Sequence, residues 1–352
     1  TDHVTSLSVN STGDRLLAVS LDGMAQCFSL RDGAKCSKWT GGLDNHQPRV
    51  TGVLSPDGNR AIAFGGTNQP LVVDLTDDSV AATIELPPER QRKGRQDFEV
   101  TDARWLGSKT IVLAGGIWDY FDDGDYSRSG AAWVWQDEAV KPVRKVFEVG
   151  DADELMTITP GDDPAIVQSQ IDEQDERLQR EQVRFVRIRD GAVTRTIEPP
   201  EINGGFTSLS DAVAISPDGQ VLVSGANWRE SNSRRMERSR PMILAFDLST
   251  GELRWATDVG RAPDTIAFTQ NGAQVVVWGG RRHMSRGCMV GEEGWEWHCF
   301  DSATGRDLTA PAPDLTAAND ATTCMAATED GRWLAFGTAR GLILVYEDAT
   351  VR

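Results

Sequence analysis

Seven times along the chain, a polar turn containing glycine is followed by a short, mostly apolar run that ends in small residues. The runs are RLLAVS, RAIAFGG, TIVLAGG, PAIVQSQ, VLVSGA, QVVVWGG and WLAFGT. Their turns hold Gly13, Gly58, Gly107, Gly161, Gly219, Gly272 and Gly331, spaced by 45 to 59 residues. Apolar runs this short, bounded by glycine or polar residues, predict central strands rather than buried helices. A repeat of this period predicts sheets stacked in an array or ring. Residues 1–352 then form one all-β domain of seven units, near 1–45, 46–97, 98–152, 153–203, 204–261, 262–318 and 319–352. The segment nearest to a helix in pattern, DEQDERLQREQ at 172–182, is almost wholly polar and has no apolar face to bury.

The turns and the strands that follow them carry a family resemblance. VTGVLSPDGNRAIAFGG with VVDLTDD in the second unit, and VAISPDGQVLVSGA with LAFDLSTGELRW in the fifth, resemble repeats of bacterial WD-repeat β-propellers. The positions matching the Trp-Asp signature are Phe28-Ser29, Val73-Asp74, Trp135-Gln136, Phe246-Asp247, Phe300-Asp301 and Tyr346-Glu347, and Asn45-His46 matches the Gly-His pair. Ala245-Phe246-Asp247 with Thr250-Gly251 and Trp255 is also similar to the tryptophan-docking motif of quinoprotein-like propellers, in this one unit. The resemblance covers the whole chain. It implies seven four-stranded antiparallel blades and a role in protein–protein interaction, as a scaffold or a subunit of a complex. After GLILVYEDA (341–349) no residues remain for an outer strand of the last blade. Either flanking sequence supplies that strand, as an amino-terminal strand does in related propellers, or the edge stays open to a strand from a partner.

Charge and insertions locate the candidate surface. Fifty-three acidic against 36 basic residues give a net charge of −17, which argues against a general nucleic-acid binder. The residues in excess of a minimal repeat fall at 116–130, 171–182, 226–241 and 280–296, between the second and third strands of successive units. In the family arrangement these loops emerge on one face. Two of them gather Arg229, Arg234, Arg235, Arg238, Arg240, Arg281, Arg282 and Arg286 within an acidic chain, and Trp118, Trp228, Trp295 and Trp297 lie in or beside the insertions. Arginine and tryptophan are the residue types that interface centres prefer. These twelve are the candidate partner-binding residues.

Chemistry is harder to find. The four histidines, His3, His46, His283 and His298, lack metal-site spacing, and the acidic turn WDYFDDGDY departs from the calcium-loop pattern. No nucleophile elbow, phosphate loop or dinucleotide fingerprint is present. No catalytic residue, metal or cofactor is assigned, and no apolar run is long enough to span a membrane. Two function classes remain: a non-catalytic scaffold binding a protein partner through charged loops, and a ligand-binding or hydrolytic propeller gripping an anionic small molecule or glycan with loop arginines. Among five cysteines, Cys27 and Cys36 flank the turn SLRDGAK, and pairing of 28 with 35 sets 27 opposite 36. That register makes them candidates for a cross-strand disulfide, which favours an envelope or extracellular setting; the other reading is two small buried residues.

Overall fold

The structure is a computed structural model describing residues 3–40, 50–65, 69–86, 95–120, 126–137, 144–149, 154–160, 164–171, 181–202, 205–230, 239–279, 282–285, 288–291, 296–308, 322–328 and 330–347. Strands follow one another in antiparallel sheets. The first sheet contains β1 (Val4–Val9), β2 (Arg15–Ser20), β3 (Met24–Ser29) and β4 (Lys35–Thr40). The second contains β5 (Val50–Leu54), β6 (Arg60–Gly65), β7 (Leu71–Asp74) and β8 (Ser79–Thr83), and the third β9 (Arg95–Leu106), β10 (Thr110–Tyr120), β11 (Tyr126–Gln136) and β12 (Arg144–Val149). The fourth contains β13 (Glu154–Ile158), β14 (Ala165–Ile171), β15 (Glu181–Arg187) and β16 (Val193–Ile197), and the fifth β17 (Gly205–Ile215), β18 (Val221–Glu230), β19 (Ser239–Asp247) and β20 (Leu253–Asp258). The sixth pairs β21 (Thr265–Thr269) with β22 (Gln274–Gly279), from which the ribbon β23 (Arg282–Ser285) and β24 (Cys288–Gly291) projects before β25 (Glu296–Asp301). The seventh has β26 (Thr322–Ala327), β27 (Trp333–Thr338) and β28 (Ile343–Glu347).

These sheets are the blades of a seven-bladed β-propeller. Each predicted apolar run falls on the second strand of its blade, and RLLAVS and WLAFGT are β2 and β27 in full. Both faces of such a strand meet a neighbouring blade, so its side chains are buried on alternate sides: Leu222 packs toward the fourth blade, while Val221 and Val223 pack toward the sixth. Burial on both faces explains why these strands read as continuous apolar runs. The last blade closes on the first through Val4, Ala18 and Cys324, and through Leu16, Leu30 and Ala335.

The turn between the first and second strands of a blade has a repeated internal structure. In the fifth blade the Ser216 hydroxyl donates to Asp218 at 2.5 Å and accepts from the Val221 amide at 2.8 Å. In the seventh, Thr328 does the same with Asp330 and Trp333, at 2.6 and 2.9 Å. The hydroxyl bond is the main cause that holds the Asp218 and Asp330 carboxyls below the ordinary carboxylate range. These turns also touch their neighbours around the ring. A β-carbon added at Gly272 would meet Pro217, one at Gly331 would meet Gln270, and one at Gly13 would meet Thr328; Arg15 donates to the Gly58 carbonyl at 2.8 Å. One face of the propeller is therefore built from short turns, several of them packed on the turn of the preceding blade.

Every outer strand of the four-stranded blades carries one extra residue against its partner. The unpaired residues are Cys36, Ala81, Val146, Thr194 and Arg254. This bulge corrects the register expected for the first blade: Phe28 does pair with Lys35, but Cys27 then faces Ser37. Both thiols are free, Cys27 fully buried in the seam with the second blade and Cys36 exposed, and the Cys36 side chain stays within hydrogen-bonding reach of Cys27. Cys324 is a buried free thiol, while the Cys288 side chain and His46 lie outside the described residues.

Candidate partner-binding face

Because neighbouring strands in each blade are antiparallel, all connections from second to third strand leave the ring on one face, opposite the short turns. In the third and fifth blades these connections begin as strands rather than loops. β10 and β11 stay paired out to Tyr120 and Tyr126, and β9 follows them, with Arg95 opposite Tyr120. β17, β18 and β19 do likewise, so that Glu230 pairs with Gly205 and Arg229 with Ser239. The β23–β24 ribbon is the sixth blade's insertion, with Arg282 opposite Gly291.

The best-defined part of this face is in the fifth blade. Trp228 and Arg240 are direct cross-strand partners, and the Arg240 guanidinium carbon stands 5.4 Å from the centre of the indole ring. The indole nitrogen donates to the Ile202 carbonyl at 2.6 Å, which fixes the ring plane. Arg240 approaches Asp258 at 3.9 Å, with two-thirds of its side chain exposed. Two exposed groups at that separation gain little from each other in water. The guanidinium is thus held by stacking, with much of its hydrogen-bonding capacity facing solvent. The signal for this pair was in the sequence only as two ends of an insertion; the cross-strand register joins them.

The other candidates are placed as follows. Trp118 lies on the extended part of β10, with its backbone between Asp97 and Arg128. Arg229 and Arg282 stand on strands whose side chains at those positions are not described, and Arg234, Arg235, Arg238, Arg281, Arg286 and Trp295 lie outside the described residues. Trp297 is a correction. It sits on β25 with only 9% exposure, edge-on to Phe336, and packs the seam between the sixth and seventh blades. Strand alternation explains this: Trp297 and Cys299 share the face that meets the next blade.

An unanticipated group is Asp102, on the innermost strand of the third blade. It accepts from the Ala103 amide at 2.8 Å, and Thr157 of the fourth blade donates to it. Burial pushes its carboxyl up to about 6 against these bonds and the nearby Arg104. An aspartate within an otherwise alternating strand gave no sign of this in the sequence.

Among the described residues no cluster of three His, Cys, Asp or Glu side chains is placed to hold a metal ion, and no helix is long and apolar enough to cross a membrane. No family model matches the sequence, and no curated protein does. What the arrangement establishes is the seven-bladed β-propeller, with short turns on one face and long insertions on the other.

Proposed function

We propose that the chain is a WD-repeat-type propeller acting as a non-catalytic scaffold, which holds a protein partner on the face that carries the long insertions. The observation that supports this reading is the Arg240–Trp228 pair. A guanidinium stacked on a fixed indole and open to solvent is already ordered for a carboxylate on a partner, so less side-chain freedom is lost on binding. Paired strands carry that pair out from the ring, and the rigid blades beneath would hold it in a fixed position relative to neighbouring insertions. The acidic remainder of the chain would steer a partner's orientation rather than add affinity.

The test is native mass spectrometry of the protein isolated gently from its source, at low and then high salt, beside Arg240→Glu and an Arg234→Glu/Arg235→Glu double variant. The expected result is a stoichiometric protein partner that high salt releases and that at least one variant fails to retain. A lone chain at every salt concentration, or a partner indifferent to both variants, overturns the reading.

A further inference from the structure

The bulge on each outer strand sets two residues against one residue of the third strand. In the fourth and fifth blades the side chain of the extra residue turns back to the third strand of its own blade. The Thr194 hydroxyl donates to the Phe185 carbonyl at 3.1 Å, and the Arg254 guanidinium donates to the Asp247 carboxylate at 2.6 Å. Phe185 and Cys27 hold the same place in their blades, each opposite the bulge. In the first blade the extra residue is Cys36, so the same turn brings one thiol to another. The Cys36 sulfur also stands 3.7 Å from the Ala34 carbonyl, which a thiol bonds only weakly.

The two thiols are not equivalent. Cys36 is exposed, Cys27 is fully buried, and the first lies within hydrogen-bonding reach of the second. Burial is the main cause that pushes the Cys27 thiol up to about 11, and the neighbouring Cys36 adds to it. Ser37, directly opposite Cys27, is 5% exposed, and its hydroxyl has no hydrogen-bond partner among the described residues. Cross-strand partners share one side of a sheet, so that hydroxyl is placed to donate to the sulfur when Cys27 loses its proton. A solvent-facing thiol, a second thiol beside it and a donor for the second thiolate are the parts that thiol–disulfide exchange uses.

We propose that Cys27 and Cys36 are a reversible redox site, which a small-molecule disulfide oxidises to a disulfide within the first blade. The Cys36 thiol gives its proton to water, and the thiolate attacks one sulfur of the small disulfide. A bond forms between Cys36 and that sulfur, the small molecule's own S–S bond breaks, and its other half leaves as a thiolate that takes up a proton. Cys27, deprotonated in turn, attacks the Cys36 sulfur and expels the first half as a second thiol. Two electrons pass from the protein to the small molecule: two protein thiols become one disulfide, and one small disulfide becomes two thiols. The second step is the slow one, because Cys27 is covered and seldom ionised. The link ties β4 to β3 beside Trp39, which packs in the seam with the second blade. Oxidation thus pins that seam, and reduction releases it. The site is separate from the insertion-bearing face and does not rest on the reading of that face.

The test equilibrates the full chain with glutathione and glutathione disulfide at several ratios, then quenches with acid, alkylates and digests with trypsin without reduction. Cleavage after Arg15, Arg31, Lys35 and Lys38 separates the two cysteines, so the oxidised form joins residues 16–31 to 36–38. The linked peptide is expected to grow with the oxidised fraction of glutathione and to vanish when the reduced form is restored. Cys27→Ser, with Cys27→Ala as a second variant at this buried position, is expected to hold Cys36 as its mixed disulfide with glutathione. Cys36→Ser is expected to leave Cys27 unmodified. Amide exchange along β4 should slow by about tenfold in the linked form. The proposal is overturned if the folded chain gives no linked peptide at any ratio, or if reduced glutathione does not reverse the link. Pairing of Cys36 with Cys288 or with a second copy of the chain also overturns it, as does β4 exchange that linkage leaves unchanged.

Discussion

The Thr323 hydroxyl donates to the Val4 carbonyl across 319 residues of sequence, joining the first inner strand of the propeller to the last. The same hydroxyl lies within hydrogen-bonding distance of the Gly337 carbonyl on its own sheet. Thr323→Val keeps the shape and removes the donor, so it is expected to cost about 1–2 kcal/mol in denaturant unfolding. Hydrogen exchange should locate the change, with the β1 amides losing protection before those of β5 or β17.

Gly305 faces Trp255 across the seam between the fifth and sixth blades. Its φ is +67°, and a β-carbon there would stand 2.6 Å from the indole ring, whereas Gly219, at φ +69°, has no atom within 4 Å of that position. Gly219→Ala should therefore cost only the left-handed backbone penalty, about 1 kcal/mol. Gly305→Ala adds displacement of a buried tryptophan and should cost about 3 kcal/mol. Equal denaturation midpoints for the two variants would contradict the packing described.

Asp102 makes stability depend on pH. Its carboxyl lies at about 6 in the folded chain against an ordinary 3.8, so folding favours the protonated acid. That stabilising effect is complete below the unfolded value, falls away as pH rises toward 6, and is absent above it. Asp102→Asn retains an acceptor for the Ala103 amide and removes the partly buried charge. The variant should match the parent near pH 3.5 and exceed it by about 1–3 kcal/mol at pH 7.5. A thermal-unfolding series across that range decides the matter.

The four described thiols should react unequally with iodoacetamide. Cys36 is exposed, whereas burial raises Cys27 and Cys299 to about 11 and Cys324 to about 12. Since the thiolate is the nucleophile, Cys36 should be modified first in the native protein. Mass mapping of a Cys288→Ser variant reads the order directly, and early modification of Cys27 would mean that the first seam opens.

The ring was legible because its most constrained parts use few residue types. A strand buried on both faces must be apolar throughout, and the turn before it repeats a hydroxyl, an aspartate and a glycine in fixed roles, as Ser216, Asp218 and Gly219 do. The outer-strand bulges were not legible. The extra residue is Cys36 in one blade and Ala81, Thr194 or Arg254 in others, and no side-chain type distinguishes it. Hence Cys27 met Ser37. The candidate face was legible only as charge: which arginine would be held in place depended on Arg240 falling opposite Trp228, a register that the intervening insertion conceals.

The contacts among the short turns make the two faces unequal in what they tolerate. Where one blade's turn rests on the previous blade's turn, lengthening either loop pushes on its neighbour, and the disturbance passes to the ring. On the other face the blades already carry insertions of different lengths, at 116–130, 171–182, 226–241 and 280–296. Tags, permuted termini or grafted segments should therefore be accepted where β10 meets β11 or β18 meets β19, and refused at Gly13, Gly272 or Gly331. Lineage drift in length would accumulate on the same side, so that distant copies of this propeller would share one outline and differ in the other.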